Sequence, residues 1–415
     1  MSLPRLLVIL GSGETTPTMV KTHREVLGRL GPPPIPALVI NTPFGFQENR
    51  EDLAARAVDY FRESVGQELG VAEFRSAAVA SADPVGYESM LADLRAARYV
   101  FAGPGSPSYA LRQWAGSPLP DILRAKLERG GCVAFASAAA LTLGVKTVPV
   151  YEIYKVGEDP HWLNGLDLFA ATGLRAAVIP HYNNAEGGTH DTRFCYLGER
   201  RLAVMEHQLP EDCFVLGVDE HTACIFDLDA GSATVAGNGV VTVRRAGRST
   251  EVPAGSTVAV EDIARMAAGV AATGHAPSPV VAPAMSARSP LLDEVGRLEG
   301  EFDAALDAGE AELSVKAMLE LDDLLLAWSR DSLQSDEMDR GRAALRGMIV
   351  KLGRKAVSPR GLLAPFVSLL LDLRTGARDA KRWGDADAIR DRMIELGVEV
   401  RDTPAGPEWD LPLLS

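Results

Sequence analysis

Between residue 1 and about residue 225, short wholly apolar runs alternate with stretches of helical periodicity. The apolar runs include "RLLVIL", "PALVINT", "AARYVFAG", "CVAFAS", "RAAVIPHYN" and "CFVLGVDEHTACIF"; segments such as "MVKTHREVLGRL" and "REDLAARAVDYFRESVG" lie between them. A strand with no polar face must be covered on both sides, and helices between successive strands supply both covers. The pattern predicts an α/β domain on a doubly wound, mostly parallel sheet. In such sheets, sites form at the carboxyl ends of the strands.

The pattern changes at 233–258, "ATVAGNGVVTVRRAGRSTEVPAGSTV", where short β runs separated by Gly-containing turns predict a β-hairpin appendage. Residues 273–290, "TGHAPSPVVAPAMSARSP", have no periodicity and read as linker. Beyond them, apolar residues recur at three- and four-residue spacing through to the C-terminal region, which predicts a helical bundle. The expected organisation is an α/β domain over 1–265, a linker over 266–290 and a helical domain over 291–415. A chain of 415 residues is long enough for two such cores.

The net charge of −14 argues against wholesale binding to nucleic acid or an anionic membrane, while leaving room for a local basic face. Cys132, Cys195, Cys213 and Cys224 form no C-x-x-C pair, so buried reduced thiols in a cytoplasmic protein are expected. The apolar run of "MSLPRLLVILGSGE" flows into a Gly-rich turn and reads as a first strand, not a signal peptide. No run has the length of a membrane span.

Four strand ends carry polar residues that one sheet edge would gather. "GSGE" places Glu14 behind glycines whose backbone N–H groups can face a substrate. "FAGPGSPSYAL" frees the backbone at Gly105 and Ser106 to donate hydrogen bonds, as an oxyanion hole requires. "GCVAFASAAALTLG" reads strand, serine, helix, with small residues around Ser137. That is the pattern of a nucleophile elbow, with the N–H of Ala138 beside the hydroxyl; it is equally the pattern of a serine helix cap. "IPHYNN" puts His181 at a strand end, where an imidazole base would share an edge with Ser137. Such a base needs an orienting carboxylate, and Glu152, Asp219 and Glu220 are the candidates. His181, His190, Asp191 and His221 show no metal-ligand spacing, and neither metal nor cofactor is expected.

In this order, "GSGE", "GPGSPSYAL", "ASAAA", "PHYNN", "THDTR" and "GVDEHTA" resemble the serine peptidases related to dipeptidase E and cyanophycinase, over about residues 5–260. The resemblance implies a fold like the class I glutamine amidotransferases. It further implies Ser137 as nucleophile, His181 as base, Glu152 as third member, and an oxyanion hole at Ala138 and Gly105. Substrate contacts are expected from Glu14, Ser106, Arg193 and Glu220, with Arg193 holding a substrate carboxylate. Two positions depart from the family: Phe135 and Ala139 stand where it usually carries glycine. A benzyl ring at 135 is expected to crowd the elbow.

The segment "LLDLRTGARDAKRWGDADAIRDRMIELGVEVRDTPAGPEWDL" resembles the C-terminal region of cysteinyl-tRNA synthetases, and the resemblance extends more weakly back to about residue 292. The synthetase signatures His-Ile-Gly-His and Lys-Met-Ser-Lys-Ser are missing, so tRNA charging is not expected. Arg342, Arg346, Lys351, Arg354 and Lys355 form an acid-free basic stripe that could meet tRNA phosphates, or simply face solvent.

The expectation is a hydrolase acting on small peptides through a Ser–His–acid site, fused to a synthetase-like helical module. The rival is a catalytically inactive binder of a small ligand or tRNA.

Overall fold

The computed structural model describes residues 3–74, 82–186, 190–269, 290–329, 337–356, 359–403 and 406–411. They divide into two compact units. The first comprises residues 1–293 with 323–338, and the second 294–322 with 339–415. Of the expected linker, residues 270–289 lie outside the described residues, while 266 and 267 end one helix and Pro290 begins another.

The first unit is built on two sheets. Its strands are β1 (Arg5–Leu10), β2 (Ala37–Ile40), β3 (Gly70–Ala72), β4 (Tyr99–Ala102), β5 (Gly131–Ala136), β6 (Lys146–Thr147), β7 (Leu163–Asn164), β8 (Ala176–Ile179), β9 (Phe214–Val218), β10 (Thr222–Asp227), β11 (Ser232–Gly237), β12 (Val240–Arg245), β13 (Arg248–Pro253) and β14 (Thr257–Ala259). The larger sheet has the order β14-β11-β10-β1-β5-β4-β2-β3 and the smaller β13-β12-β9-β8-β6-β7. Parallel pairings join β1, β5, β4, β2 and β3 in one, and β6, β8 and β9 in the other.

The apolar runs become these parallel strands for the reason their composition suggests. Along β5, Val133 and Phe135 enter one buried cluster and Cys132, Ala134 and Ala136 the other. Helix α1 (Val20–Arg29) covers one face with Val26 and Leu27. Three further helices follow in chain order, α2 (Arg50–Tyr60), α3 (Pro84–Ala96) and α4 (Pro107–Trp114), and then α5 (Leu119–Arg129), which covers the opposite face with Leu119, Leu123 and Leu127. The sheet is thus doubly wound.

Register decides what meets at the upper edge. Leu10 pairs with Ala136 and Ala102 with Phe135, so the loops after β1, β4 and β5 emerge together. In the smaller sheet Ile179 pairs with Gly217, which brings the ends of β8 and β9 level. The two sheets join at Gly11: its N–H donates to the carbonyl of Thr222, and its carbonyl accepts from the N–H of His181. A Cβ at Gly11 would lie 1.9 Å from the carbonyl oxygen of Asp219, so only glycine permits this approach.

The strands of 232–259 are antiparallel, as expected, but they divide between the sheets. β11 pairs with β10 and β14 in the larger sheet, while β12 pairs with β9 and β13 in the smaller. "GNG" is therefore a crossover between sheets, and the compact hairpin turn is Ala246–Gly247, both at positive φ. Among the described residues up to 269, helices α6 (Ser137–Leu141), α7 (Gly198–Glu206) and α8 (Val260–Ala267) complete the α-helices, and five short 3-10 or π turns lie between elements. The four cysteines are free and buried.

The remaining helices are α9 (Pro290–Ala308), α10 (Ala311–Trp328), α11 (Glu337–Ala356), α12 (Pro359–Asp379) and α13 (Trp383–Glu395), followed by strands β15 (Glu399–Thr403) and β16 (Gly406–Asp410). The β15–β16 hairpin corrects the all-helical expectation for the C-terminal segment. Its Val400 and Trp409 pack with Val367 and Leu371 of α12 and Met393 of α13. Asp402 binds the guanidinium of Arg374 at 2.7 and 2.9 Å, and Arg374 is almost wholly buried. Among the described residues, no helix is long and apolar enough to cross a membrane.

Candidate active site

β5 ends at Ala136 in extended conformation, and the chain then turns sharply. Ser137 has φ +48°, in the left-handed region, and opens α6. The cap position is Ala136, so Ser137 stands one residue inside the helix, at its first helical position. Ser137 Oγ lies 2.9 Å from His181 Nε2. His181 also has positive φ, +49°, and its Nδ1 lies 2.8 Å from Glu220 Oε1. A carboxylate at Nδ1 holds the proton there and leaves Nε2 free to accept from the serine.

Glu220 is itself held. Its N–H donates to Asn183 Oδ1 at 2.8 Å, and Asn184 Nδ2 donates to its Oε1 at 3.2 Å. Both asparagines belong to "PHYNN", so one short segment supplies the base and the groups that orient its partner. Burial alone would lower the His181 pKa, but the hydrogen bond and charge of Glu220, with the charges of Glu14 and Glu186, raise it above the ordinary value. Burial raises the Glu220 carboxyl, and the hydrogen bond and charge of His181, with the hydrogen bond of Asn184, bring it net below its usual range.

Phe135 does not crowd the turn. Its ring is buried in the core cluster, packed on Trp114 at 5.6 Å between centroids. Phe135 is not among the residues lining the cavity onto which Ser137 opens. Ala139 is fully buried, and its N–H donates to the Gly103 carbonyl at 3.2 Å. The methyl group is accommodated in the helix.

Ser137, Ala138, Gly105 and His181 share a cavity of about 460 Å³. The N–H of Ala138 stands in the first turn of α6, where no carbonyl four residues back exists within the helix. Gly105 has φ +134°, and a Cβ there would lie 2.0 Å from the carbonyl oxygen of Pro43. The rest of the cavity includes Phe44, Tyr151, Tyr154, Lys155, Glu186 and Tyr196. Lys155 lies over the Tyr154 ring, 5.0 Å from its centroid, and the Tyr196 hydroxyl donates to Glu186 at 2.6 Å. None of these six follows from motif spacing. They come from the loop after β2 and from the 150–155 and 186–196 segments, at positions that none of the quoted motifs includes.

Several expected positions are corrected. Glu152, expected beside the imidazole, instead accepts from Ser108 Oγ at 2.8 Å, and Glu220, expected on the substrate, takes its place. Chain order could not separate them, because both follow strand ends near the histidine. Asp219 accepts from the Val240 N–H at 3.0 Å, and burial pushes its carboxyl up to about 6. Glu14 is sealed from solvent, and among the described residues neither of its carboxylate oxygens has a hydrogen-bond partner. Desolvation raises its pKa, and its reach to the site is through its charge on His181. Ser106 caps α4 by accepting from the Tyr109 N–H, and its own N–H donates to Pro43. Arg193 is held by Asp191 in a two-pronged pair at 2.8 Å and lies outside the cavity wall, where Lys155 is the cation present.

His190 and His221 find other partners, Tyr154 at 3.4 Å and Thr18 at 3.1 Å. Among the described residues no three His, Cys, Asp or Glu side chains form a group that could hold a metal ion. In the basic stripe, Lys351 pairs with Asp303, Arg342 with Asp339, and Lys355 donates to the Leu306 carbonyl. Arg346 is exposed, and the Arg354 side chain lies outside the described residues.

Comparison with known proteins assigns the two regions separately. A solved peptidase from an acI-B1 actinobacterium superposes with a TM-score of 0.50 at 20% identity, covering 62% of this chain and 98% of its own. The first module has that fold. Residues 362–409 match the cysteinyl-tRNA ligase anticodon-binding domain. The cysteine–tRNA ligase of Streptomyces griseus subsp. griseus is 30% identical over 123 residues, 26% of either chain. That of Moorella thermoacetica is 48% identical over 48 residues, 12% of this chain and 10% of its own. The chain spans about a quarter or less of the length of these curated relatives. The C-terminal module resembles the synthetases' C-terminal helical domain, and the matched residues 362–409 take in most of the β15–β16 hairpin.

Proposed function

We propose that the first module, residues 1–265, is a serine hydrolase that cleaves small peptides through Ser137, His181 and Glu220. One observation carries this reading: an unbroken hydrogen-bond chain from hydroxyl to imidazole to carboxylate, opening onto a cavity. His181 takes the proton as Ser137 Oγ attacks the scissile carbonyl. The N–H groups of Ala138 and Gly105 hold the oxyanion, each supplying roughly 10²–10³ in rate. His181 then protonates the leaving amine, and water attacks the acyl-enzyme by the same route in reverse. Glu220 stays ionised, orients the ring and stabilises the imidazolium. No cofactor enters the scheme.

The C-terminal module, residues 291–415, contacts tRNA in this proposal, on the strength of its match to an anticodon-binding domain. The protein then works in the cytoplasm, where its four thiols remain reduced.

A fluorophosphonate probe tests the hydrolase. Covalent labelling that disappears in Ser137→Ala is expected; an unlabelled, folded wild type would leave the module as a ligand binder. A gel shift with tRNA that weakens with salt and with Arg346→Glu is expected of the second module, and an absent shift removes RNA from the scheme.

A further inference from the structure

A second concavity, of about 510 Å³, lies at the opposite edge of the larger sheet. It is bordered by the lead-ins to three parallel strands: Leu3 before β1, Arg98 before β4 and Gly130 before β5. The six residues of β5, about 20 Å of strand, separate it from Ser137.

Four cations line this groove: Arg95, Arg98, Lys126 and Arg129. Its one lining carboxylate among the described residues, Asp121, is already paired with Arg124 at 2.7 Å. Among the described residues none of the four cations has a carboxylate partner; Arg98 gives one guanidinium N–H to the Leu30 carbonyl at 3.3 Å and keeps the others. In a chain of net charge −14 this concentration of unpaired positive charge stands against the general field, and a low-dielectric groove focuses it.

Helix ends explain part of the arrangement. Arg95 closes α3 and Arg129 closes α5, where the helix dipole favours a cation. That effect does not bring Arg98 from a strand lead-in to the same place. Nor does it account for Lys126, which is only 5% exposed. Lys126 Nζ donates to the carbonyls of Arg95 and Ala97, at 3.1 and 2.5 Å, and an ammonium group has a third donor to give. Burial pushes this lysine down to about 8, and an anion beside it would favour the charged form.

The remaining wall is apolar, with Leu3, Ile122 and Ala125. A bare phosphate would occupy a small part of the volume, which lies in the range that holds an organic ligand. Guanidinium forks match phosphate oxygens bidentately, and the apolar wall suits a planar heterocycle.

We propose that this groove binds a nucleoside phosphate, its phosphate groups on Arg95, Arg98, Lys126 and Arg129 and its base against Leu3 and Ile122. The test is calorimetric titration of the full chain with ATP, tripolyphosphate and adenosine, beside an Arg95→Ala/Arg129→Ala variant. Both side chains are exposed, so the variant keeps its fold, which thermal denaturation verifies. ATP is expected to bind saturably, tripolyphosphate more weakly and adenosine not at all. The variant is expected to lose about tenfold or more in ATP affinity, while fluorophosphonate labelling at Ser137 is unchanged. No saturable binding of ATP at millimolar concentration overturns the proposal, as does equal affinity in the variant. Tripolyphosphate binding as tightly as ATP overturns the role of the apolar wall. A variant that loses tRNA affinity, with ATP ignored by the wild type, would make a nucleic-acid backbone the ligand and overturn the nucleotide assignment.

Discussion

Ser137 and His181 both adopt positive φ, a conformation that costs residues with a Cβ about 1–3 kcal/mol. Surrounding structure holds them there: α6 begins at one, and the backbone of Gly11 anchors the other. Because that anchoring does not involve the hydroxyl, Ser137→Ala is expected to abolish labelling while leaving the melting temperature within a few degrees, measured by circular dichroism. Glu220→Gln makes a prediction of sign. The glutamate raises the His181 pKa, and a general base must be neutral, so activity rises with pH through that pKa. Removing the charge moves the acid limb of the pH–rate profile to lower pH, while kcat falls by roughly 10²–10⁴. Asp219 works the other way. Its folded pKa of about 6 lies above the ordinary carboxylate value, so the folded state binds the proton more tightly and stability declines as pH rises through 6. Asp219→Asn should therefore stabilise at pH 8 by up to about 3 kcal/mol and scarcely at pH 4, which denaturation at the two pH values would show.

At the scale of elements, strand β5 fills the core with Phe135 beside Trp114, and the turn after Ala136 presents the serine, so a benzyl ring at 135 is compatible with that turn. Phe135→Ala is expected to cost about 3–5 kcal/mol in urea denaturation and to leave the labelling of folded protein intact. The β15–β16 hairpin depends on the buried guanidinium of Arg374. Asp402→Ala would leave that charge unpaired, at a cost of about 1–2 kcal/mol given that Asp402 is half exposed, and hydrogen exchange in the hairpin should accelerate. The parallel strands were legible because burial on both faces leaves an unbroken apolar run. The division of β11 and β12 between two sheets was not, because strand partners lie far apart in sequence and local pattern carries no record of them. The same applies to the acid: Glu152 and Glu220 look alike in sequence, and the register of β8 against β9 selects between them.

At the scale of the whole molecule, residues 323–338 group with the first unit although they follow the linker. Trp328 is nearly buried, with its ring 5.4 Å from that of His221, the neighbour of Glu220. Burial holds the His221 pKa below its ordinary value. Trp328→Ala should expose that imidazole, raise its pKa as followed by NMR, and lower the stability of the first unit by about 3 kcal/mol.

By itself the sequence determined the α/β class, that Ser137 and His181 stand at strand ends on one edge, and the likeness of the tail to an anticodon-binding domain, because these depend on local periodicity and on ordered short motifs. Tertiary structure alone decided which carboxylate meets the imidazole, where the Phe135 ring packs, and that four cations gather at the far edge of the sheet. Those outcomes depend on strand register and on which side of a strand a residue falls, quantities that a chain acquires only when distant segments pair.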